Sequence, residues 1–287
     1  MDILTRQLSI LLLLLTPGLC AALPAESRVP GGIALIDLGA TPRAPQAWLE
    51  EQPVWVAKQG GRWIAVVGIG LDTPPGAQEL RVSDGPSERR IRFDVAAKAY
   101  PEQRITLKDN GKVTLSPENE ARAVQEIARI QQLKRHWQAS EEALSDFRRP
   151  TEGRQVSNFG LRRVFNGQPR APHSGLDIAV PRGTPVKATA AGRVLAVDDY
   201  FFNGKTVFVD HGNGLITMVC HLDWIDVAAG DPVVQGQPLG RSGMTGRASG
   251  PHVHWSVALN GAMVDPALFL TADASPSALK NSSTRRP

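Results

Sequence analysis

The stretch SGPHVHW, Ser249–Trp255, contains two histidines separated by one residue behind a Gly-Pro turn. In extended backbone an even separation places side chains on the same face of a sheet, so His252 and His254 are expected to point in one direction. The pair could be two metal ligands, one ligand and one catalytic base, or two packed core side chains. The rest of the chain has to separate these interpretations.

The sequence around this pair is typical of antiparallel β-structure. After Gly153, short apolar runs alternate with glycine-containing turns, as in KTVFVDHGNGLITMVCHL (205–222) and HVHWSVALNG (252–261). Such runs predict β-hairpins. We therefore expect a C-terminal antiparallel β domain over residues 153–270, which contains the histidine pair.

The first part of the chain also has a strand-like pattern. Runs such as GGIALIDL (31–38), RWIAVVGIGL (62–71) and RRIRFDVAAK (89–98) are separated by Gly, Pro and Asp turn signals. Several short strands at this spacing predict a small β-sandwich, which we place at residues 26–108. This segment contains no His and no Cys, so it offers no catalytic cluster.

A helical connector is predicted between the two β domains, over residues 109–152. Ser116 and Pro117 are suited to the N-cap and the first helical position, and SEEALSDF (140–147) predicts a second short helix. Apolar residues at helical spacing predict the buried face of the first helix: Ala121, Val124, Ile127, Ile130 and Leu133. The fold class is therefore mainly β, with an N-terminal β-sandwich, a helical connector and a C-terminal antiparallel-β domain.

The two ends of the chain differ from the rest. Residues 1–22 combine Arg6, the short apolar run LSILLLLL (8–15) and small residues at the end, which is typical of a secretory signal peptide. That run is too short to span a bilayer, and no later stretch is long enough, so we expect an exported mature chain without a transmembrane segment. The polar tail, 271–287, is predicted to be disordered.

Composition narrows the class of protein. The chain has 287 residues, of which 42% are hydrophobic and 21% charged, as in ordinary globular proteins. The formal charge is +4, but no long Lys/Arg block occurs, so nucleic-acid binding is not indicated. Signal-peptide cleavage would leave Cys220 alone, without a disulfide partner. We interpret Cys220 as a buried apolar residue rather than a nucleophile.

Five of the six histidines lie between residues 173 and 254, and this clustering is the main functional signal. His173 and Asp177 stand four apart in HSGLDIAV, His221 follows in MVCHL, and the HxH pair closes the set. Imidazole and carboxylate are good zinc ligands, and three protein ligands plus water are usual for catalytic zinc. His211 lies in a predicted turn, VDHGNGL, and is assigned a structural role.

Three blocks of the sequence resemble the M23 family of zinc metallopeptidases, the lysostaphin-type or LytM-type peptidoglycan endopeptidases. They are FGLRRVFNGQPRAPHSGLDIAVPRGTPVKATAAGRV, VDHGNGLITMVCHL and GMTGRASGPHVHWSVALNG, within about residues 157–270. The resemblance implies that one zinc ion per chain is bound by His173, Asp177 and His254. It implies catalytic roles for His221 and His252, and a cell-envelope or periplasmic protein whose partners are peptidoglycan stem peptides and crosslinks.

The implied function is an exported zinc endopeptidase that hydrolyses peptide crosslinks of peptidoglycan. A zinc-activated water would attack the peptide carbonyl, and two histidines would assist because their pKa permits proton transfer near neutral pH. One alternative is a non-catalytic wall-binding protein or amidase activator of the same fold, and another is a structural zinc protein. All five expected positions are filled, which favours the enzyme; the order of tasks between the two catalytic histidines stays open.

Overall fold

A computed structural model describes residues 23–106, 115–140 and 147–270. The predicted signal peptide, residues 141–146 of the predicted second helix, and the predicted disordered tail lie outside the described residues. The remaining chain is mainly β with one α-helix, which confirms the predicted fold class.

The strands before the helix lie within residues 33–105. They are β1 (Ile33–Gly39), β2 (Gln46–Leu49), β3 (Gln52–Pro53), β4 (Trp55–Gln59), β5 (Arg62–Gly68), β6 (Gly76–Ser83), β7 (Glu88–Val95) and β8 (Glu102–Ile105). Helix α1 (Pro117–Lys134) follows.

Twelve strands and a 3₁₀ helix (Pro266–Phe269) are described after α1. The strands are β9 (Arg154–Ser157), β10 (Arg162–Phe165), β11 (Gln168–Pro169), β12 (Leu176–Ala179), β13 (Pro185–Lys187), β14 (Gly192–Tyr200), β15 (Gly204–Asp210), β16 (Leu215–Ile225), β17 (Pro232–Val233), β18 (Pro238–Ser242), β19 (His252–Leu259) and β20 (Ala262–Val264).

The N-terminal part is a sandwich of two antiparallel sheets. One has the order β1-β5-β4 and the other β3-β2-β6-β7. Side chains from both sheets, including Ile36, Val67, Leu80 and Phe93, form one buried cluster between them. Strand alternation explains this core, since every second residue in the C-terminal half of β6 and of β7 points into it.

The C-terminal part is built on a ten-stranded sheet whose main path runs β17-β14-β15-β16-β19-β12-β9. Each neighbouring pair along this path is antiparallel. The central strands β15 and β19 are almost wholly buried, and β16 is buried over its first six residues. Their apolar runs are continuous rather than alternating because both faces of the sheet are covered.

Helix α1 begins where the sequence predicts, but its buried face matches the predicted one only at Ile130 and Leu133. The Ser116 side chain accepts a hydrogen bond from the backbone N–H of Asn119, as an N-cap does. Val124 and Ile127 are 62% and 48% exposed, and the buried residues are Ala123 and Leu133, so the predicted apolar face is wrong at its centre. Leu133 joins an apolar cluster with the sheet, and nearer the start of the helix Arg122 donates to the Asp199 carbonyl of β14. No helix in the described ranges has the length and apolarity needed to cross a membrane.

Strand β8 does not join either sheet of the sandwich, although the predicted sandwich segment includes it. It pairs in parallel with β10, which in turn pairs with β11, to form a separate three-stranded sheet. The pairing joins Glu102–Ile105 to Arg162–Phe165 across the connector. The end of the N-terminal segment is thereby attached to the segment that leads into the first histidine of the cluster.

The two β parts share a continuous apolar core. Ile33, Trp55 and Val66 of the sandwich belong to the same buried cluster as Leu176 and Trp255 of the large sheet. Backbone bonds close the junction as well. The Ala25 N–H donates to the Leu268 carbonyl and the Asp265 N–H to the Gly31 carbonyl, both at 2.8 Å. The sandwich is therefore packed as part of the larger body.

Asn260 makes a two-pronged contact across this junction. Its Oδ1 accepts from the Gly68 N–H at 2.6 Å, and its Nδ2 donates to the Gly68 carbonyl at 3.1 Å. The residue is only 6% exposed and has φ 43°, in the left-handed region. The side-chain amide thus satisfies both main-chain polar groups of Gly68, which lies in the other β part of the chain.

Substituting Asn260→Gly should lower the free energy of unfolding by roughly 2 kcal/mol or more, because two buried polar groups of Gly68 lose their partners. Glycine keeps the left-handed backbone without strain, so the loss reports the side chain alone. Urea denaturation of both proteins would measure it. Asn166→Gly is the control, since Asn166 has φ 48° in an exposed turn. Equal stabilities of the two variants would contradict the proposed contribution of the Asn260 side chain.

Candidate active site

Three neighbouring strands bring the predicted site residues together. In the antiparallel register Asp177 of β12 lies opposite His254 of β19, and Cys220 of β16 lies opposite His254 on the other side. His173 precedes β12, and its backbone is held by bonds with Gly160 and Leu161. The structure thus places all five sequence-predicted residues at one end of the central sheet.

His173, Asp177 and His254 form a tight triangle. Asp177 Oδ1 lies 2.9 Å from His173 Nε2 and 2.9 Å from His254 Nδ1, and the two nitrogens are 3.1 Å apart. The three side chains are 8%, 12% and 12% exposed. One ligand atom from each lies within 4.8 Å of the others, so the three atoms can converge on one point.

The hydrogen bonds behind the triangle decide which nitrogen faces it. His173 Nδ1 lies 2.9 Å from the Asn158 carbonyl, which can only accept, so Nδ1 carries the proton and Nε2 presents a lone pair. His254 Nε2 lies 2.7 Å from Ser256 Oγ, which leaves Nδ1 toward Asp177. Two imidazole nitrogens and a carboxylate oxygen therefore face one point, and this donor set suits a divalent cation such as zinc.

Asp177 supplies the negative charge of the triangle. Burial opposes ionisation of its carboxyl group, but the contacts with His173 and His254 outweigh burial and hold its pKa well below the usual range. Burial lowers the pKa of His254, although its contact with Asp177 opposes that shift. The site is thus a buried carboxylate between two imidazoles.

His221 and His252 form a second pair beside the triangle. Their ring centroids are 4.6 Å apart, and the His221 ring is 6.2 Å from that of His254. His221 Nδ1 lies 2.9 Å from the Thr245 carbonyl, and His252 Nδ1 lies 2.8 Å from the Gly250 carbonyl. Each Nδ1 therefore donates to a backbone carbonyl, and each Nε2 is left with a lone pair that can accept a proton. His252 Nε2 lies 3.8 Å from Asp177 Oδ1.

Burial, together with the neighbouring His254 and His252, lowers the pKa of His221 to about 4. The ring is therefore neutral near pH 7. Its backbone has φ 62°, a conformation that side-chain-bearing residues seldom adopt outside functional or turn positions. The His221 N–H donates to the Asn203 carbonyl at 2.9 Å, so a β14–β15 hairpin residue and Thr245 hold this histidine from two sides.

Sequence reasoning missed the carbonyls that orient these rings. Asn158, Thr245 and Gly250 act through their backbone, so their side chains carry no signal. Asn203 likewise holds His221 through its carbonyl. Only the glycine-rich character of the loop before HxH indicates that backbone approaches closely there.

Gly204→Ala should lower kcat/KM about tenfold or more. Gly204 has φ 61°, and a Cβ there would lie 2.3 Å from Thr245 Oγ1 and 2.4 Å from its carbonyl carbon, so the loop that orients His221 must move. A misplacement of about 1 Å in an active site can cost 10²-fold. Gly60→Ala is the matched control, because Gly60 has φ 57° with open space at its Cβ position. Equal activity of the two variants, measured per folded molecule, would contradict this expectation.

The remaining histidines and the cysteine lie outside the cluster. His211 is buried between the Ala191 carbonyl (2.7 Å) and Thr217 Oγ1 (2.8 Å), and burial lowers its pKa to about 4. His136 lies 3.3 Å from Asp210. Cys220 is buried and unpaired, and burial raises the pKa of its thiol to about 12. A thiol with that pKa is not a nucleophile near neutral pH.

Known proteins match this chain in both of its β parts. Residues 171–266 match Peptidase family M23, and residues 26–98 match the Peptidase family M23 N-terminal domain. A crystal structure of a putative peptidase M23 from Pseudomonas aeruginosa has a TM-score of 0.73 and 44% sequence identity, covering 85% of this chain and 96% of that one. The chain belongs to peptidase family M23.

The curated relatives match part of the chain. Peptidoglycan DD-endopeptidase ShyA of Vibrio cholerae serotype O1 is 41% identical over 110 residues, which is 38% of this chain and 26% of ShyA. Peptidoglycan DD-endopeptidase ShyC of the same organism is 41% identical over 122 residues, 42% of this chain and 28% of ShyC. The chain thus spans about a quarter of the length of these curated relatives.

Proposed function

We propose that the protein is an exported, zinc-dependent endopeptidase that hydrolyses peptide crosslinks of peptidoglycan. The observation that carries the proposal is the convergence of His173 Nε2, Asp177 Oδ1 and His254 Nδ1 beside two further imidazoles that are oriented by backbone carbonyls. Membership of family M23 and the names of the curated relatives support the reaction class and the substrate. Export is inferred from the signal-peptide pattern of residues 1–22.

In this proposal His173, Asp177 and His254 hold one zinc ion per chain. Zinc, when bound, polarises the scissile carbonyl and lowers the pKa of an attacking water. The Asn158 carbonyl and the Ser256 hydroxyl contact the outer nitrogens of the two imidazoles, so that the other nitrogen of each ring faces the triangle. A neutral imidazole and a carboxylate each bind a metal without losing a proton first, so the site needs little reorganisation.

His221 and His252 then carry out proton transfer. Both rings are held through Nδ1, and each presents Nε2 as a proton acceptor. One Nε2 accepts the proton of the nucleophile. The other, after taking a proton from solvent, donates to the oxygen that becomes negatively charged or to the leaving amine, and the first returns its proton to solvent. Because the rings are 4.6 Å apart, both can reach the same scissile peptide.

The decisive test uses the purified full-length mature chain with one equivalent of zinc and a defined crosslinked dimeric muropeptide. Mass spectrometry should detect two monomers produced by hydrolysis of the D-Ala–diaminopimelate crosslink, with no other peptide bond of either stem cleaved. Removing zinc with a chelator should stop the reaction, and adding zinc back should restore it. Binding of peptidoglycan without cleavage under these conditions would instead support the non-catalytic alternative.

A further inference from the structure

We propose that Arg163 is a positioning residue for the metal triangle, acting on Asp177 and, through Ser157, on His173. This inference rests on the proposed zinc function and deepens it. It assigns a task to a side chain outside the five histidine and aspartate residues discussed above.

The two carboxylate oxygens of Asp177 have different surroundings. Oδ1 faces the triangle, with both ligand nitrogens at 2.9 Å. Oδ2 faces away, toward Arg163 Nη2 at 3.9 Å. This distance is too long for a direct hydrogen bond, so the contact is an ion pair. With Oδ2 facing a guanidinium, Oδ1 is the oxygen left for a metal, and the carboxylate is oriented for binding through one oxygen.

The same guanidinium nitrogen reaches the support of a second ligand. Arg163 Nη2 donates to Ser157 Oγ at 3.0 Å, and Ser157 Oγ lies 3.2 Å from His173 Nδ1. Ser157 also lies opposite Asp177 in the β9–β12 register. Arg163 therefore contacts the outer side of both ligands, as outer-shell partners of metal sites do.

The position of Arg163 is itself determined by strand pairing. It lies on β10 opposite Gln103 of β8, within the parallel pair that joins the N-terminal segment to the C-terminal part. Its side chain is 33% exposed, against 12% for Asp177, and it lines a cleft of about 1010 Å³ next to the sandwich. Arg163 thus stands between this cleft and the buried carboxylate.

Two effects of Arg163 on zinc affinity oppose each other. A cation near the site repels zinc, whereas orientation of the carboxylate and of His173 favours zinc. The Asp177 carboxylate, whose Oδ2 is 3.9 Å from Arg163 Nη2, carries a negative charge that offsets the repulsion at close range. The orienting effect acts on two of the three ligands, and we therefore expect it to prevail.

The test compares wild-type protein with Arg163→Gln, Arg163→Lys and Arg162→Gln. Zinc affinity is measured by competition with a chromophoric chelator, and coordination by the visible absorption of the cobalt-substituted protein. Arg163→Gln should weaken zinc 10- to 100-fold, the usual range for outer-shell changes, and should alter the cobalt spectrum. Arg163→Lys should recover part of the affinity, because it keeps the charge but lacks the planar fork. Arg162 is exposed on the same strand, so Arg162→Gln should match wild type.

The outcomes separate this inference from the function beneath it. Wild-type protein that binds no zinc would overturn both. Wild-type protein that binds zinc, with Arg163→Gln binding equally or more tightly and giving the same cobalt spectrum, would overturn the role of Arg163 alone. Thermal unfolding of the metal-free proteins checks the fold. If Arg163→Gln and Arg162→Gln lose the same metal-free stability and the same zinc affinity, the role of Arg163 is merely structural.

Discussion

Replacement of His221 by alanine is expected to slow crosslink hydrolysis roughly 10²- to 10⁴-fold while one zinc ion per chain remains bound, because a proton acceptor is lost and the metal ligands are kept. His221 lies outside the triangle, with its ring 6.2 Å from that of His254. The rate is measured as kcat/KM on a dimeric muropeptide, and bound zinc by elemental analysis after dialysis.

The matched control for this substitution is His136→Ala. His136 contacts Asp210 rather than the triangle, so its loss should leave kcat/KM per folded molecule within about twofold of wild type, as remote substitutions usually do. Loss of zinc from the His221→Ala protein would reassign His221 as a metal ligand. Retention of wild-type activity would remove it from the mechanism.

The substitution Asp177→Asn should abolish activity and weaken zinc binding by more than about 100-fold. Changes of outer-shell partners already cost 10- to 100-fold in metal affinity, and Asp177 supplies both a ligand atom and the negative charge of the triangle. The amide has the same shape, so the fold should persist. Chelator competition measures the affinity directly.

Thermal unfolding provides a second readout for Asp177. Zinc that binds only the folded state raises the free energy of unfolding of the wild type by about 4 kcal/mol at a thousandfold excess over Kd, and so raises its Tm. That shift should disappear in Asp177→Asn. It should persist in Asp210→Asn, which changes a buried aspartate that is 7% exposed and whose carboxylate accepts from the Gly212 N–H. Equal zinc-induced shifts in both variants would argue against Asp177 as a ligand.

Strand periodicity made part of the site predictable. The alternation in HVHW places His252 and His254 on one face, and the structure has both in β19 with His254 opposite Asp177. A period of two is set by the backbone alone, so it is visible in the sequence. The location of His221 is not visible in the sequence. It depends on the pairing of β16 with β19 and on contacts with Asn203 and Thr245, which are distant in the chain.

The helix shows the same division between local and non-local information. Ser116 and Pro117 determine where α1 begins through local hydrogen bonding, and the sequence predicted that boundary. Which face is buried depends on what packs against it. The helix packs through the side that carries Ala123 and Leu133, so Val124 and Ile127 remain exposed despite their helical spacing. The β8–β10 pairing is likewise a long-range contact without a local pattern.

The backbone bonds of Ala25 with Leu268 and of Gly31 with Asp265 have a consequence for the order of events during synthesis. The sandwich can assemble its own inner cluster as soon as β7 has left the ribosome, since all the residues of that cluster precede Ala96. Its outer side, with Ile33 and Trp55, belongs to a cluster that also includes Leu259 and Val264, which are synthesised late. A nascent chain halted before residue 260 would carry all five residues proposed to bind metal or transfer protons, and would still leave that apolar side open to chaperones and proteases.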